Sequence, residues 1–241
     1  MGRLSAEREA HDRPVHREER QLERAKSDLY WLGTYILGYS WSPSKQIGMT
    51  RDFHWPLCQR MDSLREHPRV LTLTARGHLK TTIFTVALAI QEILRDPDIT
   101  ILVCHAVEEE AQKILSEITD HFRGNHKLRK LRPEIMPAPN SKKWWGASDM
   151  TVRRTKFSRQ ATVMAKGAGS ELTGAHVDLI FLDDVIARRT IENSELPKIA
   201  SWYRNTALPV LNPSGRIRAV GTRWHQTTFG ASFWPIRPGI A

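Results

Sequence analysis

The chain has 241 residues, with 36 Lys and Arg against 26 Asp and Glu, a formal net charge of +10 and a hydrophobic share of 40%. That is too apolar for a disordered chain, and the length suits one large domain, or one domain with a helical appendage, rather than two enzymes. No apolar run approaches the roughly 20 residues of a membrane span. The start of the chain, laced with Arg and Glu, lacks the apolar core of a secretory signal.

Cys58 and Cys104 make neither a disulfide framework nor a CxxC metal pair, so a reducing cytosol is the expected compartment. The basic excess favours a polyanionic partner, against the plainer reading of a soluble protein that is merely basic. Residues 15–37 are predicted as one helix, solvated by Arg and Glu in its first half. Its second half carries Leu22, Ala25, Leu29, Leu32 and Ile36 at helical spacing, and Gly38 can stop it. A loop over 39–52 and a short helix over 55–66 follow.

The pattern then changes to apolar strands alternating with helices. Strands are predicted at 69–74, 99–105, 177–182 and 216–221, and helices at 81–94, 108–122 and 195–208. Continuous apolar strands of this kind point to a parallel sheet covered on both faces. Residues 124–147, rich in Pro, Lys and Trp, read as a long surface excursion, and 151–154 with 161–165 as a pair of short strands. Cys104, inside the second strand, reads as a buried core residue.

Between the first strand and its helix lies Thr74-Ala75-Arg76-Gly77-His78-Leu79-Lys80-Thr81-Thr82. A nucleoside triphosphate needs from such a turn backbone N–H groups at a helix N-terminus, a Lys on the β/γ-phosphates and a hydroxyl on Mg2+. Lys80 and Thr81 stand in that order. The GxxxxGK[ST] pattern is not met, because Leu79 occupies the usual glycine position and no glycine lies five residues before it. A left-handed backbone at a residue with a Cβ costs about 1–2 kcal/mol. The plain alternative is a Lys-Thr pair that merely opens a buried helix.

The third buried strand ends in Asp183-Asp184, and carboxylates at the C-terminal end of a parallel strand sit where open α/β sheets bind ligands. In the phosphate-transfer reading Asp183 holds Mg2+ and Asp184 orients or deprotonates the attacking water. The alternative is an acidic loop start. The fourth strand runs into Gly221-Thr222-Arg223-Trp224-His225, where a hydroxyl can sense a γ-phosphate or simply end a strand.

With these motifs in order, residues 51–229 resemble the ATPase domain of tailed-phage large terminases, the motors that thread double-stranded DNA into a prohead. Ala75 to Thr81 resembles that family's deviant Walker A with its early arginine. Leu172-Thr173-Gly174 and the run from Val177 to Asp184 resemble its Walker B region. Trp202-Tyr203 and Thr222-Arg223-Trp224-His225 resemble the segments that follow.

The resemblance implies an additional-strand P-loop ATPase with an N-terminal helical arm at 1–50, an ATPase domain at 51–230 and a tail at 231–241. ATP and Mg2+ would be bound by Arg76, Gly77, His78, Leu79, Lys80, Thr81, Thr82 and Thr222, the metal by Thr81 and Asp183. Asp184, Lys80 and Arg76 would be catalytic. It further implies DNA-stimulated hydrolysis by a homo-oligomeric ring, a pentamer, with a portal protein and a small terminase subunit as partners. The place of work would be the host cytoplasm, docked on the prohead and outside the mature virion.

Asp184 stands where many relatives have Glu, and Thr173 and His176 lie where some carry a trans-acting arginine finger. Arg153, Arg154 and Arg159 are the candidates for that finger, and His54 or Gln59 for contact with adenine. Lys142-Lys143-Trp144-Trp145 is a possible DNA contact or a Trp-anchored loop. The family's nuclease half needs on the order of a hundred or more residues; a dozen remain beyond Phe229, so no nuclease activity is expected. Two other readings stay open: a DNA-binding or scaffold module with a decayed P-loop, and a helicase-like ATPase of similar fold.

Overall fold

The computed structural model describes residues 14–136, 144–187, 190 and 193–222. An N-terminal helix α1 (Pro14–Ser27) leads to α2 (Leu29–Trp31), which winds on in π-helical geometry over Leu32–Ile36. The single helix expected over 15–37 is therefore broken. Asp28 adopts an extended backbone and its side chain accepts from Trp31 N, capping the second segment, while Leu29 N donates to Asp62 Oδ2 at 3.0 Å. The stop at Gly38 holds, with φ +83°. Helix α3 (Arg51–Ser63) starts four residues before the predicted point, because His54 Nδ1 accepts from Thr50 N at its first turn. Pro56 consequently lies inside it.

Strand β1 (Arg69–Leu73) feeds, through the 74–81 turn, a π-helical stretch Thr82–Ala87 that continues as α4 (Leu88–Arg95). Then come β2 (Ile101–His105), α5 (Glu108–Gly124), α6 (His126–Leu131), β3 (Asp149–Met150), β4 (Val163–Gly167) and β5 (Val177–Asp183). Helix α7 (Leu196–Trp202), extended by Tyr203–Ala207, precedes β6 (Leu211–Gly221). The six strands form one sheet in the order β1-β6-β5-β2-β4-β3, parallel except for β3.

Side chains alternate cleanly between its two faces. Val103, Leu179, Phe181 and Val220 pack with α4, α5 and the N-terminal helices, whose Ala25, Leu29, Leu32 and Ile36 join the same core. Leu102, Cys104, Ile180, Leu182, Ile217 and Ala219 pack on the other side against Ala200, Trp202, Tyr203 and Ala207. The expected layered α/β architecture is present, and Cys104 is fully buried. Among the described residues no helix is long and apolar enough to cross a membrane.

Three local expectations are corrected. Residues 151–154 are not a strand: Val152 N donates to Thr162 Oγ1 and Arg153 N to Ile135 O, so the ladder partner is Asp149–Met150 instead. The 124–147 stretch is not all surface, since α6 and the turn after it bury Leu128, Leu131, Ile135 and Met136. Its residues 137–143, with Lys142 and Lys143, lie outside the described residues. Strand β6 begins at Leu211, well before the predicted 216, because Leu211 pairs with Val177 and Arg216 with Leu179 across a register shift that bulges the residues between.

Midway along β6, just before its pairing with β1 begins, Arg216 Nη2 meets Glu92 Oε2 of α4 at 2.6 Å, with Glu92 buried. Arg218, also buried, donates to the carbonyls of His67 and Arg65. Removing one member of a buried ion pair leaves the other uncompensated, at a cost of about 3–5 kcal/mol. Glu92→Gln is therefore expected to lower the denaturation midpoint by a large margin. An unchanged midpoint in a urea titration would show that the pair contributes nothing.

Candidate active site

Parallel pairing sets the site. Leu73 lies opposite Gly221, and Asp183 lies opposite both Val220 and His105, so the C-terminal ends of β1, β6, β5 and β2 share one edge. The 74–81 turn and the acidic pair both leave from that edge. They meet there: Thr81 Oγ1 donates to Asp183 Oδ1 at 3.0 Å, and Lys80 Nζ stands 2.7 Å from Asp184 Oδ2. On the other side, Asp184 Oδ1 accepts from Thr222 N at 3.2 Å. Three segments that are remote in the chain thus converge on two adjacent carboxylates.

The turn itself is built from a left-handed pair. Gly77 has φ +81° and Leu79 φ +53°, and between them His78 Nδ1 donates to Arg76 O at 2.9 Å. Leu79 is a branched residue in a conformation that favours glycine. Its side chain packs partly buried against the main core, which offsets some of that strain. Asp184 is likewise left-handed, with φ +41°, a conformation an Asp tolerates better than most residues.

Asp183 is fully buried, and burial is the largest effect on its carboxyl, which is pushed up to about 6. The neighbouring Asp184 adds to the rise, while Thr85, Thr81 and Lys80 oppose it. Thr85 donates to Asp183 Oδ2 at 2.6 Å from a fully buried position. Sequence reasoning passed over Thr85. The signal was available: it is a hydroxyl four residues after Thr81, on the same helical face in an otherwise apolar run.

The remaining sequence candidates divide. Arg76 and Gly77 are exposed in the turn, His78 and Thr82 are half-buried beside it. Thr74 Oγ1 and Thr222 Oγ1, at the ends of neighbouring strands β1 and β6, are buried with no hydrogen-bond partner among the described residues. Buried hydroxyls left without partners mark a place where a ligand or water is expected. His54 is buried with its Nδ1 taken by Thr50, and Gln59 is exposed. His54 nonetheless interacts with His78 of the turn, and the exposed Phe53 ring lies 4.8 Å from that of His78. The motif Arg223-Trp224-His225 lies outside the described residues.

Of the finger candidates, Arg154 is spent on structure, donating to Gln160 O and Ile99 O. It sits with Arg153 and Arg159 on the segment entering β4, at the end of the sheet opposite Asp183. Among the described residues no three or more His, Cys, Asp or Glu side chains cluster to hold a metal by themselves. No protein-family model matches the chain, and no curated protein matches it.

Two stability effects follow from these contacts. With its carboxyl raised from 3.8 to about 6, folded Asp183 keeps a proton that the unfolded chain has released over that window. Stability of the ligand-free chain therefore falls as pH rises from 3.8 to about 6 and is level above it. Asp183→Asn is expected to raise Tm by roughly 5 °C at pH 7.5 and hardly at all near pH 4. A gain independent of pH would show that the buried charge is not its source.

At Leu79 backbone strain and packing oppose each other. Leu79→Ala loses the packing and keeps the strain, whereas Leu79→Gly loses both, so the alanine variant is expected to be the less stable by about 1 kcal/mol. The reverse order, read from paired urea titrations, would remove the left-handed conformation as a constraint.

Proposed function

We propose that this chain is an Mg2+-dependent ATPase, the motor domain of a terminase-like large subunit that moves along double-stranded DNA. The observation that carries the reading is the meeting of Thr81 with Asp183 and of Lys80 with Asp184, across 102 residues of sequence in the first case. The sheet order supports the finer fold assignment, since β6 lies between the strand bearing the turn and the strand bearing the acids. That interposed strand is what the additional-strand class of P-loop ATPases requires.

The residues present fit a bound Mg2+. Two oxygens on neighbouring corners of an octahedron with bonds of about 2.1 Å lie about 3.0 Å apart. Thr81 Oγ1 and Asp183 Oδ1 stand at 3.0 Å. Magnesium is usually held by one or two such groups together with substrate phosphates, so a protein-only cage is not needed. When bound, it would neutralise charge on the β- and γ-phosphates.

The protein side chains would act as follows. Lys80 leaves Asp184 for the phosphate oxygens, where its charge offsets what develops in the transition state. Release frees Asp184 Oδ2 to accept a hydrogen bond, and then a proton, from the attacking water. Asp184 Oδ1 stays on Thr222 N, which fixes the direction in which the carboxylate points. Thr85 keeps the second oxygen of Asp183 hydrogen-bonded throughout. Arg76 contacts the phosphates from the turn or couples hydrolysis to movement, and Thr222 relays the state of the γ-phosphate to the segment after β6.

The ring of five copies, the portal and small-subunit partners, and the location on a prohead in the host cytoplasm belong to the same proposal. They rest on the motif resemblance. Purified protein is expected to hydrolyse ATP faster with duplex DNA, and Lys80→Ala or Asp183→Ala to lower the rate ~100-fold or more. Undiminished turnover in Lys80→Ala removes the mechanism.

One observation favours a second reading. Leu79 puts a Cβ and a branched side chain at a left-handed position where phosphate must approach closely, and Lys80 already has a carboxylate partner. A decayed turn in a DNA-binding or scaffold module would look the same. Calorimetric titration with Mg-ATP separates the two, because a decayed site gives no saturable heat at millimolar nucleotide.

A further inference from the structure

The segment Thr151–Gln160 reads TVRRTKFSRQ, four cations and no acid in ten residues. It is not loose. Arg154 reaches back to Gln160 O and Ile99 O, and Gln160 Nε2 donates to Gly174 O at 2.8 Å. Asp98 accepts from Thr155 N at 2.8 Å, from Lys156 N at 3.1 Å and from the Thr155 hydroxyl. These bonds hold the backbone of the loop, while Lys156, Phe157 and Arg159 are exposed. Phe157 is the most exposed large hydrophobic side chain described, at 110%.

Beside the loop runs a groove of about 670 Å3, lined among others by Lys156, Arg159, Lys166, Trp144 and Phe157, with Asp149 the one acid lining it among the described residues. The loop is braced, yet it presents the Phe157 ring bare to solvent between Lys156 and Arg159. A fully exposed ring flanked by cations suits a partner that is itself grooved and anionic. The minor groove of a nucleic-acid duplex has both properties: phosphates along each rim for Lys and Arg, and a floor into which a Phe can wedge.

We infer that the 151–160 loop and the adjoining groove are a docking surface for duplex DNA, with Phe157 entering the minor groove and Lys156, Arg159 and Lys166 on flanking phosphates. The inference rests on the proposed function only in taking DNA as the duplex. The loop enters β4 at the end of the sheet opposite Lys80 and Asp183, while Lys166 lies level with Leu182, toward the end that carries the acids.

The test is fluorescence anisotropy of a labelled duplex as a function of salt, with the full chain. The double variant Lys156→Gln/Arg159→Gln is expected to bind roughly tenfold more weakly and to flatten the log-affinity against log-salt slope by about 1.8, one increment of about 0.9 per phosphate lost. Phe157→Ala is expected to weaken binding about fivefold with the slope unchanged. All three side chains are exposed, so circular dichroism and Tm should match the parent. Unaltered affinity and slope in the double variant overturn the inference, as does tighter binding of a single strand than of the duplex. Mg-ATP binding measured on the same samples is expected to be unaffected. Loss of duplex binding in these variants therefore supports the surface whether or not the chain turns over nucleotide.

Discussion

One buried carboxylate organises this molecule. Asp183 sits at zero exposure where β5 leaves the sheet, and two hydroxyls from the helix that follows β1 donate to it. Burying an ionisable group is unfavourable unless hydrogen bonds receive it. The strand with the acid and the helix with the hydroxyls must therefore be brought to one edge of the sheet. The insertion of β6 between β1 and β5 sets their spacing, and it brings Thr222 N to the adjacent Asp184.

Much of this was legible in the sequence, and for a definite reason. Continuous apolar strands such as Ile101–His105 and Val177–Asp183 can only be buried on both faces, so the parallel core followed from them. The turn at 74–82 and the acids at 183–184 could be paired because each stands directly after such a strand. Periodicity alone could not order the strands, since the position of β6 between β1 and β5 depends on pairings between residues about 150 apart, such as Arg69 with Ile217.

What escaped the sequence reading depended on individual hydrogen bonds. Asp28 interrupts an apolar stripe that is otherwise continuous, because its carboxylate caps a new helix instead of extending the old one. Residues 151–154 look like a strand by composition, yet their backbone donors go to Thr162 and Ile135. Phe53, whose ring lies beside His78 of the turn next to the buried His54, is an aromatic neighbour that no periodicity singles out. Thr85 had the right spacing, and only the buried oxygen of Asp183 gives that spacing a meaning.

The foot of the β1–β6 pairing has a mechanical implication. Arg216 ties the strand to Glu92 of α4, and Arg218 ties it to the carbonyls of His67 and Arg65 just ahead of β1. These are the three elements whose upper ends carry Thr222, Lys80 with Thr81, and the start of the turn. Cross-bracing at the foot makes them a stiff tripod. Whatever rearrangement accompanies ligand exchange at the top must be absorbed by the few backbone torsions of the 74–81 turn, because sliding any leg would tear out a desolvated guanidinium.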